Sequence, residues 1–267
     1  MTGATFLLEL RRSRALFIWL AAITFAYAAT MGLFYPVMRE NMAALEEYMK
    51  IFPKEFMAAF GMTGSLGQPG VFFQTYIGIW LWPILAAIVG ILAATRPVAA
   101  DLDRGFLELV ISTPMSRRRY LGVAILVQAL VIVAIALATV GGVLVVGSLV
   151  GAGFDAGRFL LVVPLATAFG CAIAAVATLL SVVTLSRGQA AAITVVVLLG
   201  MYLMYVVSQI QGDLDWLLAF SAFGHFDTAA IIDDGVVPAA DLALFSAVAV
   251  ACWLGALWAF GRRDLAA

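Results

Sequence analysis

The densest group of side chains able to do chemistry is His225, Asp227, Asp233 and Asp234. An imidazole beside carboxylates could hold a metal or move a proton, but these four match no metal-ligand spacing, since a zinc site needs several His or Cys ligands at fixed intervals. His225 is the single histidine of the chain, which excludes His-rich metal sites and His-based triads. The only lysines are Lys50 after Met49 and Lys54 after Pro53. No Gly-Lys pair exists to reach a nucleotide phosphate, so the chain carries no P-loop and is not itself an ATPase. Cys171 and Cys252 each sit in a long apolar run and read as small core residues rather than as a disulfide framework. The chain is therefore not expected to be an enzyme.

The elements that carry these residues are mostly apolar. Apolar types make up 64% of the 267 residues and charged types 12%, against about half and a quarter in soluble domains. A soluble fold of this length would lack the polar surface to wrap its core. Basic and acidic residues number 15 and 16, so the chain has no field for nucleic acid. A bilayer core needs about 20 apolar residues in a helix, and six runs qualify: 15–34, 76–95, 120–150, 159–185, 190–210 and 241–261. The expected fold is all-α: one polytopic membrane domain over residues 1–267, with six transmembrane helices and an N-terminal interfacial amphipathic helix around Phe6–Arg12. Arg11, Arg12 and Arg14 before the first run also suit a signal peptide, but apolar residues continue to Phe34, too long for a cleaved segment.

Arginine counting orients the chain. With both termini cytoplasmic, the inner segments hold eleven arginines, and outside lie Arg39, Lys50, Lys54 and Arg158. This places 37–74 outside as an amphipathic segment, in which Pro53 opens a short helix that Gly61 closes. It also places 214–237 outside, as an interfacial or re-entrant element too short and broken to span. The loop 96–119 falls in the cytoplasm.

Span interiors offer only neutral polar groups such as Gln128, Thr139, Thr178 and Thr194, and Pro83 and Pro164 as kink points. Transport coupled to a buried titrating residue is not expected. A channel and a transporter driven by another subunit stay open, whereas a lipid-embedded enzyme would need a catalytic cluster that the spans lack. Two helical faces stand out. Ala166, Gly170, Ala174 and Thr178 give span four a small-residue face for close packing. Leu198, Tyr202, Tyr205 and Gln209 put an apolar wall with hydroxyl and amide groups on span five, suited to an amphipathic ligand path or to packing.

In the loop 96–119, Phe106–Ser112 can form about two helical turns, stopped at Pro114. Phe106, Leu109 and Val110 share one stripe while Glu108 faces elsewhere, as in a docking knob for a partner or a helix lying among headgroups. The run Asp101, Asp103, Gly105, Leu107, Glu108, Ser112, Pro114, Ser116 and Arg117 resembles the signature of membrane subunits of the second export class of ATP-binding-cassette transporters. Phe106 replaces the usual Thr and Val110-Ile111 a Leu pair. The opening Leu7-Leu8-Glu9-Leu10-Arg11-Arg12, the Phe52-Pro53 element, the segment around His225 and the closing Phe260–Asp264 extend the likeness over most of the chain.

The resemblance implies an exporter permease in the plasma (inner) membrane. Such a permease pairs with a second copy or sister permease and with a separate ATP-binding-cassette ATPase subunit. It implies that Asp103, Gly105, Phe106, Leu107, Glu108, Leu109, Val110 and Arg117 form a cytoplasmic coupling helix. No cofactor would bind this chain; ATP and Mg would reside on the ATPase partner. The implied substrate is amphipathic: a drug, a peptide, a lipid or a glycan. A channel not driven by ATP, or a scaffold or sensor with the permease fold, is the alternative.

Overall fold

A computed structural model describes residues 2–62, 64–95 and 116–262. Among them lie α1 (Thr2–Glu40), α2 (Met42–Met49), α3 (Lys54–Ala59), α4 (Pro69–Phe73), a π-helical stretch (Gln74–Leu81) and α5 (Trp82–Thr95). There follow α6 (Arg117–Leu149), α7 (Ala156–Thr184), α8 (Arg187–Ile210), a 3₁₀ helix (Gly212–Phe220), α9 (Ala229–Asp234) and α10 (Ala239–Arg262). Six of these units are long and apolar enough to cross a membrane: Arg14–Glu40, Pro69–Leu92, Arg117–Leu149, Ala156–Thr184, Arg187–Ile210 and Ala239–Arg262. These are spans one to six, and the chain is an all-α polytopic membrane protein.

The N-terminal amphipathic stretch is not a separate helix. It runs without interruption into span one as part of α1, 39 residues long. Neither Gly nor Pro stands between Ala4 and Met31, so nothing in the backbone calls for a break. Pro36 sits within the last turns of the same helix. Span two is composite. Pro83 has no N–H for the Ile79 carbonyl, and its ring would crowd that oxygen. The wider π turn just before it relieves the crowding. Pro164 stays inside the continuous helix of span four.

Span four is the central post. Trp82 Nε1 of span two donates to the Ala166 carbonyl at 3.0 Å. Ala166 and Thr178 are buried, and Ala174 lies against Gly90, whose position would put a Cβ 3.1 Å from the Ala174 Cα. The small-residue face thus packs against spans two and three as its spacing predicts. Gln128 ties the three spans together in the apolar interior, donating to the Gly90 carbonyl at 3.2 Å and accepting from the Thr178 hydroxyl at 3.3 Å. Spans one and three approach closely because Gly142 has no side chain. A Cβ there would lie 2.4 Å from the Phe25 carbonyl oxygen.

The segment between spans five and six enters the bundle. The Ser221 hydroxyl donates to the Met201 carbonyl at 2.7 Å. Met201 is nine residues, roughly 14 Å, in from the end of span five. Phe226 packs on Phe169 of span four with ring centroids 4.5 Å apart. Gln74 of the π stretch donates to the Phe226 carbonyl at 2.8 Å and accepts from the Thr228 N–H at 2.9 Å. The stretch 221–228 is thus re-entrant relative to the helix bundle, with Ser221, Phe223, Phe226 and Thr228 buried among the spans.

Candidate functional site

A ladder of aromatic rings descends from the segment that precedes span two. Tyr48, Phe52 and Phe56 are exposed on and beside α2 and α3, at centroid steps of 6.1 and 6.0 Å. Phe56 meets Phe60 at 4.8 Å, Phe60 stacks on Trp80 of span two at 5.6 Å, and Trp80 meets Tyr202 of span five at 5.7 Å. Tyr202 then meets Phe223 of the re-entrant segment at 5.3 Å. Phe56 lies within α3, and Phe52 and Phe60 flank it, the one just before the Pro53 cap and the other at the C-terminal cap. Such a row gives a planar or apolar molecule a continuous series of ring faces and edges.

The four span-five residues expected to share one face do not share one surface. Tyr202 is half-buried at the edge of the ladder, while Tyr205 is buried behind it, 6.3 Å from the Phe223 ring. Leu198, one turn further in, lies beyond the tip of the re-entrant segment and lines a different cavity, beside Phe169 and Met201. Gln209 is half-buried near the end of the span. Phe223 packs on the two tyrosines, whereas Ser221 and Ala222 share the cavity wall with Leu198. Trp80 and Phe223 were not singled out by sequence; Trp80 falls inside an apolar run, where nothing local marks it as a ladder rung.

The polar groups near the re-entrant segment are structural. His225 Nδ1 lies 2.7 Å from Asp241 Oδ1 and its Nε2 lies 3.2 Å from the Ala219 carbonyl oxygen, so both ring nitrogens are engaged. Asp233 Oδ1 accepts from the Gly70 N–H at 2.8 Å, and the Arg158 guanidinium donates to the Asp233 carbonyl. Burial pushes the Asp233 carboxyl above the ordinary aspartate range, with the Gly70 N–H and Arg158 opposing. Asp227 caps the start of α9, accepting from Ala229 N–H at 2.9 Å. Among the described residues no group of three or more His, Cys, Asp or Glu side chains could hold a metal ion.

At the opposite, arginine-rich end, Asp103, Gly105, Phe106, Leu107, Glu108, Leu109 and Val110 lie outside the described residues. Arg117 is described, in the first turn of span three, which Ser116 caps by accepting from the Arg119 N–H at 3.3 Å. Glu9 of α1 is buried here, accepting from Arg12 at 3.2 Å and from the Tyr120 hydroxyl at 3.4 Å. Arg118 lies along Gly261 of span six. The start of α1, the start of span three and the end of span six therefore converge where the loop 96–115 joins the bundle.

A family model described as ABC-2 family transporter protein matches residues 7–265. The chain belongs to the ABC-2 transporter family. This ABC-2 chain is thus a multi-pass membrane component of an ATP-binding-cassette transporter. In general such a component is non-catalytic and works with a separate ATP-binding-cassette ATPase. No curated protein sequence matches it.

Proposed function

We propose that this ABC-2 chain is the transmembrane subunit of an ATP-driven exporter of amphipathic molecules, with ATP and Mg held by a partner ATPase. The observation that carries the reading, beside the family, is the aromatic ladder from Tyr48 to Tyr202 and Phe223. Export needs a surface that offers an amphipathic molecule apolar contact with few fixed polar anchors. The ladder supplies it along the outer flank of spans two and five, with the Tyr202 hydroxyl as a polar group within it. Its edge position suits a path completed by a second copy or sister permease. The arginine-rich end faces the cytoplasm in this reading, as the positive-inside bias favours, in the plasma membrane.

Force from the ATPase enters through the loop 96–119, with Phe106, Leu107, Leu109 and Val110 as the apolar anchor and Glu108 as the charge that pairs with the partner. Asp103, Gly105 and Arg117 frame that helix. The convergence of α1, span three and span six around Glu9 and Tyr120 gives a push at this loop three elements to act on.

The test joins Phe106→Ala to Glu108→Lys in the full chain, co-expressed with its partner ATP-binding-cassette ATPase. An apolar interface anchor with a mispaired charge costs on the order of 2–5 kcal/mol, enough to release a partner. The ATPase is expected to drop out of pull-downs, and substrate flux in vesicles to cease, while the permease still inserts. ATPase retained at normal stoichiometry would rule this loop out as the coupling element. Flux that persists without ATP would favour a channel.

A further inference from the structure

Spans five and six each pack on span four rather than on one another. Between them, below the tip of the re-entrant segment, lies a cleft of about 230 Å³. Span four floors it with Phe169, Ala172 and Val176; the backbone of 219–222 closes the end nearer the re-entrant segment. Its open side is flanked by Val197 of span five and by Leu244 and Val248 of span six, all exposed and apolar. The lining on span five runs from Met201 to Thr194, roughly 14 to 24 Å in from the end of the helix. The cleft is therefore at hydrocarbon depth and opens sideways.

Every polar side chain of the wall is engaged within the protein. The Thr194 hydroxyl donates to the Ala190 carbonyl at 2.7 Å, Ser221 to Met201 at 2.7 Å, and His225 is held by Asp241 and Ala219. The donor protons of the two hydroxyls are used and the rest of the lining is almost wholly apolar, so water gains little there and the cleft favours hydrocarbon. A dry apolar cavity of about 150 Å³ accepts benzene, so the larger cleft has room for a longer hydrocarbon segment. The closed end prevents entry along the helix axis, and the exposed Trp216, further toward the end of span five, suits the headgroup level.

We propose that this cleft is a binding site for one acyl chain of a bilayer phospholipid, entering sideways between spans five and six while its headgroup stays beside Trp216. The site is separate from the aromatic ladder: Phe223, the last rung, packs on Tyr202 and Tyr205 and does not line the cleft. It does not depend on the exporter reading. An acyl chain there supports the re-entrant segment from below, replacing contacts that the wall lacks when empty.

The experiment reconstitutes the full chain in phosphatidylcholine nanodiscs containing a phosphatidylcholine with a mid-chain diazirine, then maps photolabelled residues by mass spectrometry. Labelling at Met201 and Val248 is compared with that at Leu203 and Leu254, exposed residues of the same two helices that serve as reference. Met201 and Val248 are expected to label at least as strongly as the reference. Ala172→Phe, which fills the floor, should lower their ratio to the reference at least fivefold. Val197→Trp narrows the mouth without touching the packed interior, so it reports even where the filled variant does not fold, and it should produce the same fall. Met201 at background in the unaltered protein, or a ratio unchanged in Val197→Trp, would overturn the proposal.

Discussion

Gln74 and Thr228, 154 residues apart in sequence, are joined where the π turn of span two meets the re-entrant segment. The Gln74 side-chain oxygen accepts the Thr228 N–H and hydroxyl, and its amide nitrogen donates to the Phe226 carbonyl. One side chain thus satisfies backbone groups of a segment that cannot form its own helical ladder at that depth. Gln74→Leu leaves a buried N–H and a buried carbonyl without partners, at about 1–3 kcal/mol each. The melting temperature in detergent should fall clearly, and a cysteine at Ser221 should become more reactive to a membrane-impermeant maleimide. Unchanged reactivity would mean that the segment is held by its aromatic contacts alone.

Gly170 sits where span four passes span three. A Cβ there would lie 2.8 Å from Ile132 Cγ2, with Trp82 and Ala86 close behind. Gly170→Leu forces these apart, and overpacking of this kind costs about 1–3 kcal/mol or more. The yield of monodisperse protein and its melting temperature should both drop. Equal melting for the variant would place this face away from the packed interior.

Tyr202 and Tyr205 separate function from folding. Tyr205 is buried, and its truncation should cost about 3 kcal/mol through the cavity it leaves, lowering basal and substrate-stimulated ATPase of the complex together. Tyr202 links Trp80 to Phe223 at the edge of the ladder, so Tyr202→Ala should weaken substrate stimulation and spare basal turnover. Identical behaviour of the two variants would remove the ladder from the transport path.

Asp233 gives a pH signature. Its carboxyl titrates above the ordinary aspartate range because burial disfavours the charge. The native state therefore binds the proton more tightly than the unfolded chain. Stability contributed here is present below the unfolded value and is lost as pH rises through the folded one. Asp233→Asn keeps an oxygen acceptor for the Gly70 N–H and carries no charge. Its melting temperature should equal or exceed that of the parent at neutral pH, and the fall across the acidic range should flatten. Asp233→Ala removes the acceptor and should melt lower. An Asn variant as unstable as the Ala variant would show that the charge itself is required.

Much of the fold is legible because membrane spans are local. About 20 apolar residues in a row satisfy the bilayer whatever they pack against, so the six runs read from sequence correspond to six helices. Their ends shift mainly where a helix continues past its apolar part, as α1 does at both ends of span one. Pro53 before α3 and Gly61 after it, with a φ of 79°, act as local punctuation. The small-residue face of span four was legible for a similar reason: only small side chains permit the approach seen at Gly90 and Ala174.

The candidate site was legible only in part. Leu198, Tyr202 and Tyr205 do lie within one helical sector, but helical spacing says which residues share a sector and not what enters it. Phe223 covers the tyrosines, while Leu198 lines the cavity beside Ser221 and Ala222.

By itself the sequence determined the apolar lengths, the arginine asymmetry, the breakers and the loop pattern around Gly105 and Pro114, all of which depend on neighbours a few residues away. The tertiary structure alone decided that residues 221–228 pack into the bundle, that Gln74 faces Thr228, and that spans five and six leave a cleft over span four. The physical reason is that a polar backbone segment enters hydrocarbon only where distant side chains complete its hydrogen bonds, and those partners are set by packing rather than by sequence separation.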